Sequence, residues 1–116
     1  MNDETKKRIK SYLETIKDYE VHGGEPADYK ENLVNLREFI KKGLFEEKDS
    51  KRTDILFYAL KEVNNNISVI DTLRSIGPIG KGSDKLIKDK NIIQTLSSML
   101  FKDYNILFLE FIVSEV

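Results

Sequence analysis

The glycine-rich segment from Gly77 to Ser83 is the part of this sequence that comes closest to a catalytic or nucleotide-binding motif, because its Gly80-Lys81 pair also occurs in phosphate-binding P-loops. A P-loop needs a glycine five residues before that pair and a serine or threonine directly after it. Here Ser75 and Gly82 occupy those positions, and the preceding pattern predicts a helix instead of a strand. We interpret the segment as a connection between helices, in which the glycines allow positive φ angles.

Metal and thiol chemistry find little support in the residue types. His22 is the only histidine, and no His-x-x-x-His or Glu-x-x-His spacing accompanies it. The chain has no cysteine, which excludes disulfides, thiolate zinc sites, iron–sulfur clusters and a cysteine nucleophile. We interpret His22 as a solvated turn residue beside Gly23-Gly24, and we expect no metal and no cofactor.

General acid–base catalysis would then need paired carboxylates with separated pKa values in a pocket. Asp54, Asp71 and Glu110 are the acidic residues most deeply embedded in apolar sequence, so they are the candidates for such a role. Each is better explained as a helix cap, a surface residue or a buried ionic partner. Because no catalytic motif accompanies them, we expect that the protein is not an enzyme.

Charged and apolar residues are divided unevenly along the chain. Asp, Glu, Lys and Arg make up 25 of the first 54 residues but only four of the last 26. The length of 116 residues fits one domain, 1–116, in which a charged, amphipathic front half folds over an apolar back half.

The net charge of −1 leaves no basic field that would attract a nucleic acid. No apolar stretch reaches the length of a signal peptide or a membrane span. These features predict a cytoplasmic protein that binds neither nucleic acid nor membrane.

Two helices are predicted by apolar residues at helical spacing. The first ends at His22-Gly23-Gly24, and the second begins at Pro26 and ends at Gly43, a residue typical of helix C-termini. The apolar stripes of these two helices are Ile9, Tyr12, Leu13, Ile16 and Tyr19, followed by Tyr29, Leu33, Leu36 and Ile40.

The second half predicts shorter elements. A buried helix spans Ile55 to Leu60 and stops before Asn64-Asn65-Asn66, and a helix from Ser68 to Ile76 follows. A charged helix of one or two turns around Leu86 and Ile87 precedes a helix from Ile92 to Phe101, which Asn91 would cap.

The run from Ile106 to Val113 fits a helix or a buried strand, and the lack of a second strand favours the helix. The predicted fold is therefore all-α, an irregular array of six to seven short helices. Successive helix pairs in such an array could stack in the manner of helical-repeat proteins.

The segment from Asp18 to Glu31, which we call the acidic turn, is the best candidate for a binding surface. It holds five carboxylates against one lysine, Lys30, and two tyrosines are interleaved. Carboxylates can steer a basic protein partner while aromatic rings supply contact area. Alternatively, the carboxylates complement the dipole of the second helix and the tyrosines belong to the core. The candidate partner-binding residues are Asp18, Tyr19, Glu20, Glu25, Asp28 and Tyr29.

The chain resembles the small, cysteine-free, largely helical immunity proteins that bacteria encode beside contact-dependent or other polymorphic toxins. The resemblance lies in the Lys/Asn/Ile-rich composition, in the short helices around Thr53 to Val63 and Ser68 to Ile76, and in the lack of catalytic residues. It implies a protein that binds one cognate toxin domain and blocks its active site or its access to a target. Inhibitors of nucleases are often strongly acidic, so the net charge of −1 argues against a nuclease as the target.

The leading hypothesis is an inhibitory binding protein of the immunity type that acts by steric occlusion through the acidic turn. The alternative is a helical adaptor or regulatory protein that forms a homodimer through its apolar C-terminal segment. A small enzyme is a further rival. A toxin gene directly upstream would favour the first hypothesis.

Deletion of Tyr104 to Val116 should give insoluble or unfolded protein. It removes seven large apolar side chains, each worth about 1.5 to 3 kcal/mol when buried, against a total stability of about 5 to 15 kcal/mol. Solubility and a thermal melt followed by circular dichroism measure the effect. A soluble truncation that unfolds cooperatively would show instead that the segment is an appended interaction element.

Overall fold

Five α-helices make up the regular structure of the described chain. The computed structural model describes residues 1–75 and 83–115, and the side chains of residues 1–75 and 90–115. The all-α prediction is confirmed, since these ranges hold no strand, but they contain five helices instead of the six to seven expected. The helices are α1 (Asp3–His22), α2 (Pro26–Glu46), α3 (Ser50–Ser75), α4 (Ser83–Phe101) and α5 (Tyr104–Val113).

The α1–α2 hairpin forms where the sequence predicts it, with the break at Gly23 and with Pro26 in the first turn of α2. The amide of Gly23 donates to the carbonyl of Tyr19 at 2.9 Å and ends α1. Gly23 has φ 61° and ψ −157°, a region that essentially only glycine occupies. This conformation turns the chain and lets its backbone approach Lys90 of α4 closely.

The prediction that α2 ends at Gly43 is wrong, because α2 continues to Glu46. Gly43 is buried inside the helix, where an added Cβ would lie 3.6 Å from Leu56 and 3.7 Å from Ile9. Gly43 therefore lies where α2 contacts α1 and α3, at distances that would also admit a Cβ, and its position in the sequence does not distinguish this site from a helix end.

The predicted break at Asn64-Asn65-Asn66 is also wrong, because α3 runs without interruption through it. Asparagine costs less than about 0.7 kcal/mol per residue in a helix interior, so tertiary contacts can override it. Asn66 supplies such contacts through hydrogen bonds to α2 and α4. Ser68, expected to begin a new helix, is an exposed residue within α3.

The predicted short helix around Leu86 and the helix from Ile92 to Phe101 are one continuous element, α4. Asn91 is an exposed interior residue of α4 and not its cap. The helix assignment of the final apolar run is confirmed by α5, whose start is capped by Asp103. The carboxylate of Asp103 accepts a hydrogen bond from the amide of Asn105 at 2.8 Å.

The helices form an elongated bundle in which α4 and α5 together make the fourth member. Lys30 near the start of α2 pairs with Asp71 near the end of α3, so these two helices are antiparallel. α4 then packs mainly on α1, and α5 packs on α3 and α1. Because α4 returns to the first helix, the chain closes into a bundle, whereas each unit of a helical repeat contacts only its neighbours in sequence.

Buried apolar side chains from all five helices form one core. The largest of the fully buried side chains are Tyr29, Ile9, Ile16, Leu33, Leu36, Ile40, Leu56, Ile70, Ile93, Ile106, Leu109 and Val63. The core runs along an elongated molecule whose extents are 49 × 23 × 21 Å.

Gly23→Ala should lower the free energy of unfolding by about 1 to 3 kcal/mol, the cost of holding a non-glycine residue in this backbone region. The new Cβ would also lie 2.5 Å from the backbone oxygen of Lys90. Gly43→Ala is the matched control. Its Cβ mainly meets the flexible side chain of Met1, and the gain of about 1 kcal/mol in helix propensity offsets that contact. Urea denaturation measures both, and equal losses would contradict the special role of Gly23.

Candidate partner-binding surfaces

The acidic turn lies at the end of the bundle where α1 passes into α2. The side chains of Asp18, Glu25 and Asp28 are exposed, and that of Glu20 is half-buried. Asp18 and Glu20 belong to the last turns of α1, whereas Glu25 is the cap residue of α2 and Asp28 is in its first turn. The hairpin therefore gathers four of the predicted partner-binding residues at one end of the molecule.

The structure separates the two tyrosines that the sequence groups with these carboxylates. Tyr29 is fully buried, so it cannot contact a partner in this fold. Tyr19 is half-buried, and its ring meets that of Tyr29 edge to face with 5.1 Å between centroids. Its hydroxyl accepts a hydrogen bond from the amide of Asn32 at 3.3 Å. Tyr19 thus packs inside the hairpin and offers only its outer edge to a partner.

The hydroxyl of Tyr29 can be buried because it belongs to a chain of hydrogen bonds through the core. This hydroxyl donates to Oδ1 of Asn66 at 2.7 Å, and Nδ2 of Asn66 donates to the carbonyl of Leu96 at 3.1 Å. These two bonds join α2, α3 and α4 at the centre of the bundle. Burial also raises the pKa of Tyr29 above its ordinary range, because a phenolate there would be desolvated.

The carboxylates of the acidic turn form few ion pairs with the side chains that the structure describes, although Lys90 of α4 approaches the backbone of Gly23. Lys30, the only lysine in the turn, is bound to Asp71 of α3 at 2.6 Å. Within the residues that the structure describes, no ion pair includes Asp18, Glu20, Glu25 or Asp28. The turn consequently presents a negative surface to solvent.

The backbone that carries this surface is held by α4. The side-chain amide of Gln94 donates to the carbonyl of Val21 at 2.6 Å, next to the close approach between Gly23 and Lys90. About one helical turn further from the acidic turn, the buried hydroxyl of Ser97 donates to the carbonyl of Ile16 at 2.8 Å. A partner would therefore meet a surface whose geometry is already fixed, which lowers the entropic cost of binding.

The structure does not bring the three candidate catalytic carboxylates together. Asp54 and Asp71 lie about 25 Å apart along α3, at 1.5 Å per residue. Asp54 is exposed, Asp71 is paired with Lys30, and Glu110 lies 3.6 Å from Lys17. Each is explained by a surface position or an ion pair.

His22 is exposed at the end of α1, as predicted for a turn residue. In the described part of the chain, no three histidine, aspartate or glutamate side chains converge in a geometry suited to a metal ion. An open groove of about 300 Å³ is lined by Leu73, Asn91, Ile92, Thr95 and Leu96 and has no ionisable side chain among these residues. The glycine-rich segment from Gly77 to Gly82 lies outside the described residues.

The outer face of α5 is a second candidate surface, and it lies in the apolar C-terminal segment that the alternative hypothesis assigns to a homodimer. Leu107, Phe108 and Phe111 were expected to be buried in the core, but all three are exposed, as is Tyr104. They occupy positions i+3, i+4 and i+7 relative to Tyr104 and form one stripe, which we call the α5 stripe. The opposite side of the helix supplies the buried residues Ile106, Leu109, Ile112 and Val113. The sequence signal for this exposed surface is that α5 is apolar on every side, because a small bundle can cover only one side of such a helix.

Comparison with known proteins gives no assignment, since no protein-family model, curated protein or solved structure matches the chain. None of the helices in the described ranges is both long and apolar enough to cross a membrane. The function therefore has to be argued from the two surfaces themselves.

Tyr29→Phe should lower the free energy of unfolding by about 1 to 3 kcal/mol, because it leaves the buried oxygen of Asn66 without its donor. Tyr12→Phe is the matched control, since Tyr12 is half-buried and its hydroxyl forms no hydrogen bond among the described residues. Urea denaturation at neutral pH measures both variants. Equal stability of Tyr29→Phe and wild type would show that the buried hydrogen bond contributes nothing net.

Tyr29→Phe also tests the pKa of Tyr29. The unfolded chain ionises this phenol near pH 10, whereas burial keeps it protonated in the folded state. Above that pH the unfolded state binds fewer protons than the folded state, so the free energy of unfolding falls as pH rises. Between about pH 9 and 11, the fall should be shallower in Tyr29→Phe than in wild type. Identical slopes in Tyr29→Phe and wild type would refute the assignment.

Proposed function

We propose that this chain is a protein-binding inhibitor of the immunity type, which neutralises a cognate toxin domain by covering its active site or target-binding face. The observation that carries the proposal is the acidic turn. Its exposed carboxylates lack ion-pair partners among the described residues and sit on a rigid hairpin. A partner of the opposite charge would supply the missing cations.

The geometry suits recognition of a basic protein surface. Long-range attraction to the carboxylates accelerates encounter with such a partner, and arginine or lysine side chains can then bind the carboxylates directly. Val21, an exposed apolar residue between the two acidic groups, and the outer edge of Tyr19 add apolar contact area. A bound bundle of this size would exclude substrate from the covered face by its bulk.

The proposal predicts an electrostatic effect on the association rate. Replacing Asp18, Glu20, Glu25 and Asp28 together by Asn or Gln should slow association about tenfold or more at low ionic strength, and less at physiological salt, where exposed charges are screened. The partner to use is the toxin domain encoded beside this gene, identified by copurification. Stopped-flow or surface-plasmon measurements at two salt concentrations give the rates.

A second quadruple variant provides the control. Asp3, Glu14, Asp54 and Glu62 lie outside the acidic turn and form no ion pair among the described residues, so neutralising them changes the net charge equally. This variant should associate at close to the wild-type rate. Equal slowing of both variants would show that the effect depends only on net charge. An unchanged rate in the acidic-turn variant would show that the interface lies elsewhere on the molecule.

A further inference from the structure

The α5 stripe is a solvent-exposed apolar surface without charge. The exposed fractions are 75% for Tyr104, 42% for Leu107, 51% for Phe108 and 67% for Phe111. The one charged residue within α5, Glu110, is turned towards Lys17 of α1. Three large aromatic side chains on one face of a helix normally mark a contact surface, because leaving them in water forgoes several kcal/mol of burial.

The spacing of the stripe is symmetric. Positions 104, 107, 108 and 111 are mirrored about the midpoint between Leu107 and Phe108, so the pattern reads the same in both chain directions. If two copies of α5 pack antiparallel about a twofold axis, Tyr104 of each copy meets Phe111 of the other. Leu107 and Phe108 of both copies then meet at the axis. A twofold interface requires this self-complementarity, since the same patch must serve both sides.

We propose that the occupant of the α5 stripe is a second copy of this chain, bound through antiparallel pairing of the two α5 helices about a twofold axis. The charges at the ends of the helix suit this direction. Exposed Lys102 precedes α5, and Glu115, which pairs with Arg52, follows it, so antiparallel pairing keeps the two Lys102 side chains at opposite ends of the interface. The helix dipoles also oppose each other in this arrangement, whereas parallel pairing would align like ends.

The area is sufficient for a specific dimer. Taking about 200 Å² for a fully exposed large side chain, the stripe contributes about 450 Å² per copy. The Arg52–Glu115 ion pair sets the register of α3 against α5. Tyr58, which is 49% exposed, follows Arg52 by about 9 Å along α3 and is therefore level with the middle of the stripe. With Tyr58 included, two copies bury about 1,100 Å², just above the roughly 1,000 Å² that specific interfaces need.

The dimer is compatible with the proposed inhibitor and independent of it. The acidic turn follows the last residues of α1, near Lys90 of α4, whereas α5 runs towards the first turns of α1, where Lys6 donates to the carbonyl of Glu115 at 3.3 Å. The α5 stripe therefore runs away from the acidic turn along α1, starting near Lys17, which pairs with Glu110. A dimer would present two acidic turns, and neutralising them should leave the dimer intact.

Sedimentation equilibrium over a concentration series tests the proposal. The wild-type chain should approach twice its monomer mass of 13.5 kDa at tens of micromolar, the weak affinity that suits an interface near the lower size limit. Tyr104→Lys and Phe111→Glu should each raise the dimer dissociation constant at least tenfold. Circular dichroism should be unchanged, because both side chains are exposed.

The double variant tests the direction of pairing. In the antiparallel register, each new lysine faces a new glutamate across the axis, so Tyr104→Lys combined with Phe111→Glu should dimerise more tightly than either single variant. Phe45→Glu is the control for loss of an exposed phenylalanine, since Phe45 is 95% exposed in α2, and it should dimerise like wild type.

Each of the following outcomes would overturn the proposal. A wild-type chain that stays monomeric at hundreds of micromolar excludes the second copy. If that monomer binds phosphatidylcholine vesicles through the stripe, or loses its protein partner when Phe111 is changed, a lipid surface or that partner is the occupant instead. A dimer that survives both single variants, or that the double variant fails to rescue, excludes the antiparallel α5 pairing.

Discussion

The hydrogen-bonded chain from Tyr29 through Asn66 to the carbonyl of Leu96 is the constraint on which the rest of the bundle depends. Apolar side chains drive the helices together, but they tolerate sliding and repacking far better than buried polar groups do. A buried hydroxyl and a buried amide must find their partners, and only one register of α2, α3 and α4 allows both bonds. The bond from Ser97 to the carbonyl of Ile16 extends the same constraint to α1.

This fixed register determines what the α1–α2 hairpin presents to solvent. With α4 held against α1, Gln94 reaches the carbonyl of Val21, and the turn at Gly23 closes against Lys90. The acidic carboxylates then project from a hairpin with little freedom. The charge is thus carried by a rigid scaffold, which suits a surface that recognises a partner without rearrangement.

The apolar surplus of the C-terminal half has a different consequence. The bundle has room for one side of α5, and Leu109 and Ile112 use it, but the other side has no neighbour in the described chain. A helix that is apolar all round is stable when it is covered on both sides, so an exposed stripe of aromatic residues calls for a second surface. The charged front half of the chain faces solvent with polar side chains, whereas the back half carries an exposed apolar face.

The sequence by itself determined the elements whose signals are local. The α1–α2 hairpin follows from the apolar stripes and from the helix-breaking residues Gly23 and Pro26. The eight-residue apolar run indicates a helix because no second strand is present to pair with it. Tertiary structure alone decided the continuity of α3, because the partners of Asn66 are 37 and 30 residues away in sequence. It also decided that Tyr29 is buried and Phe111 exposed. Burial depends on how many helices surround a position, and the spacing of apolar residues in the sequence does not reveal that number.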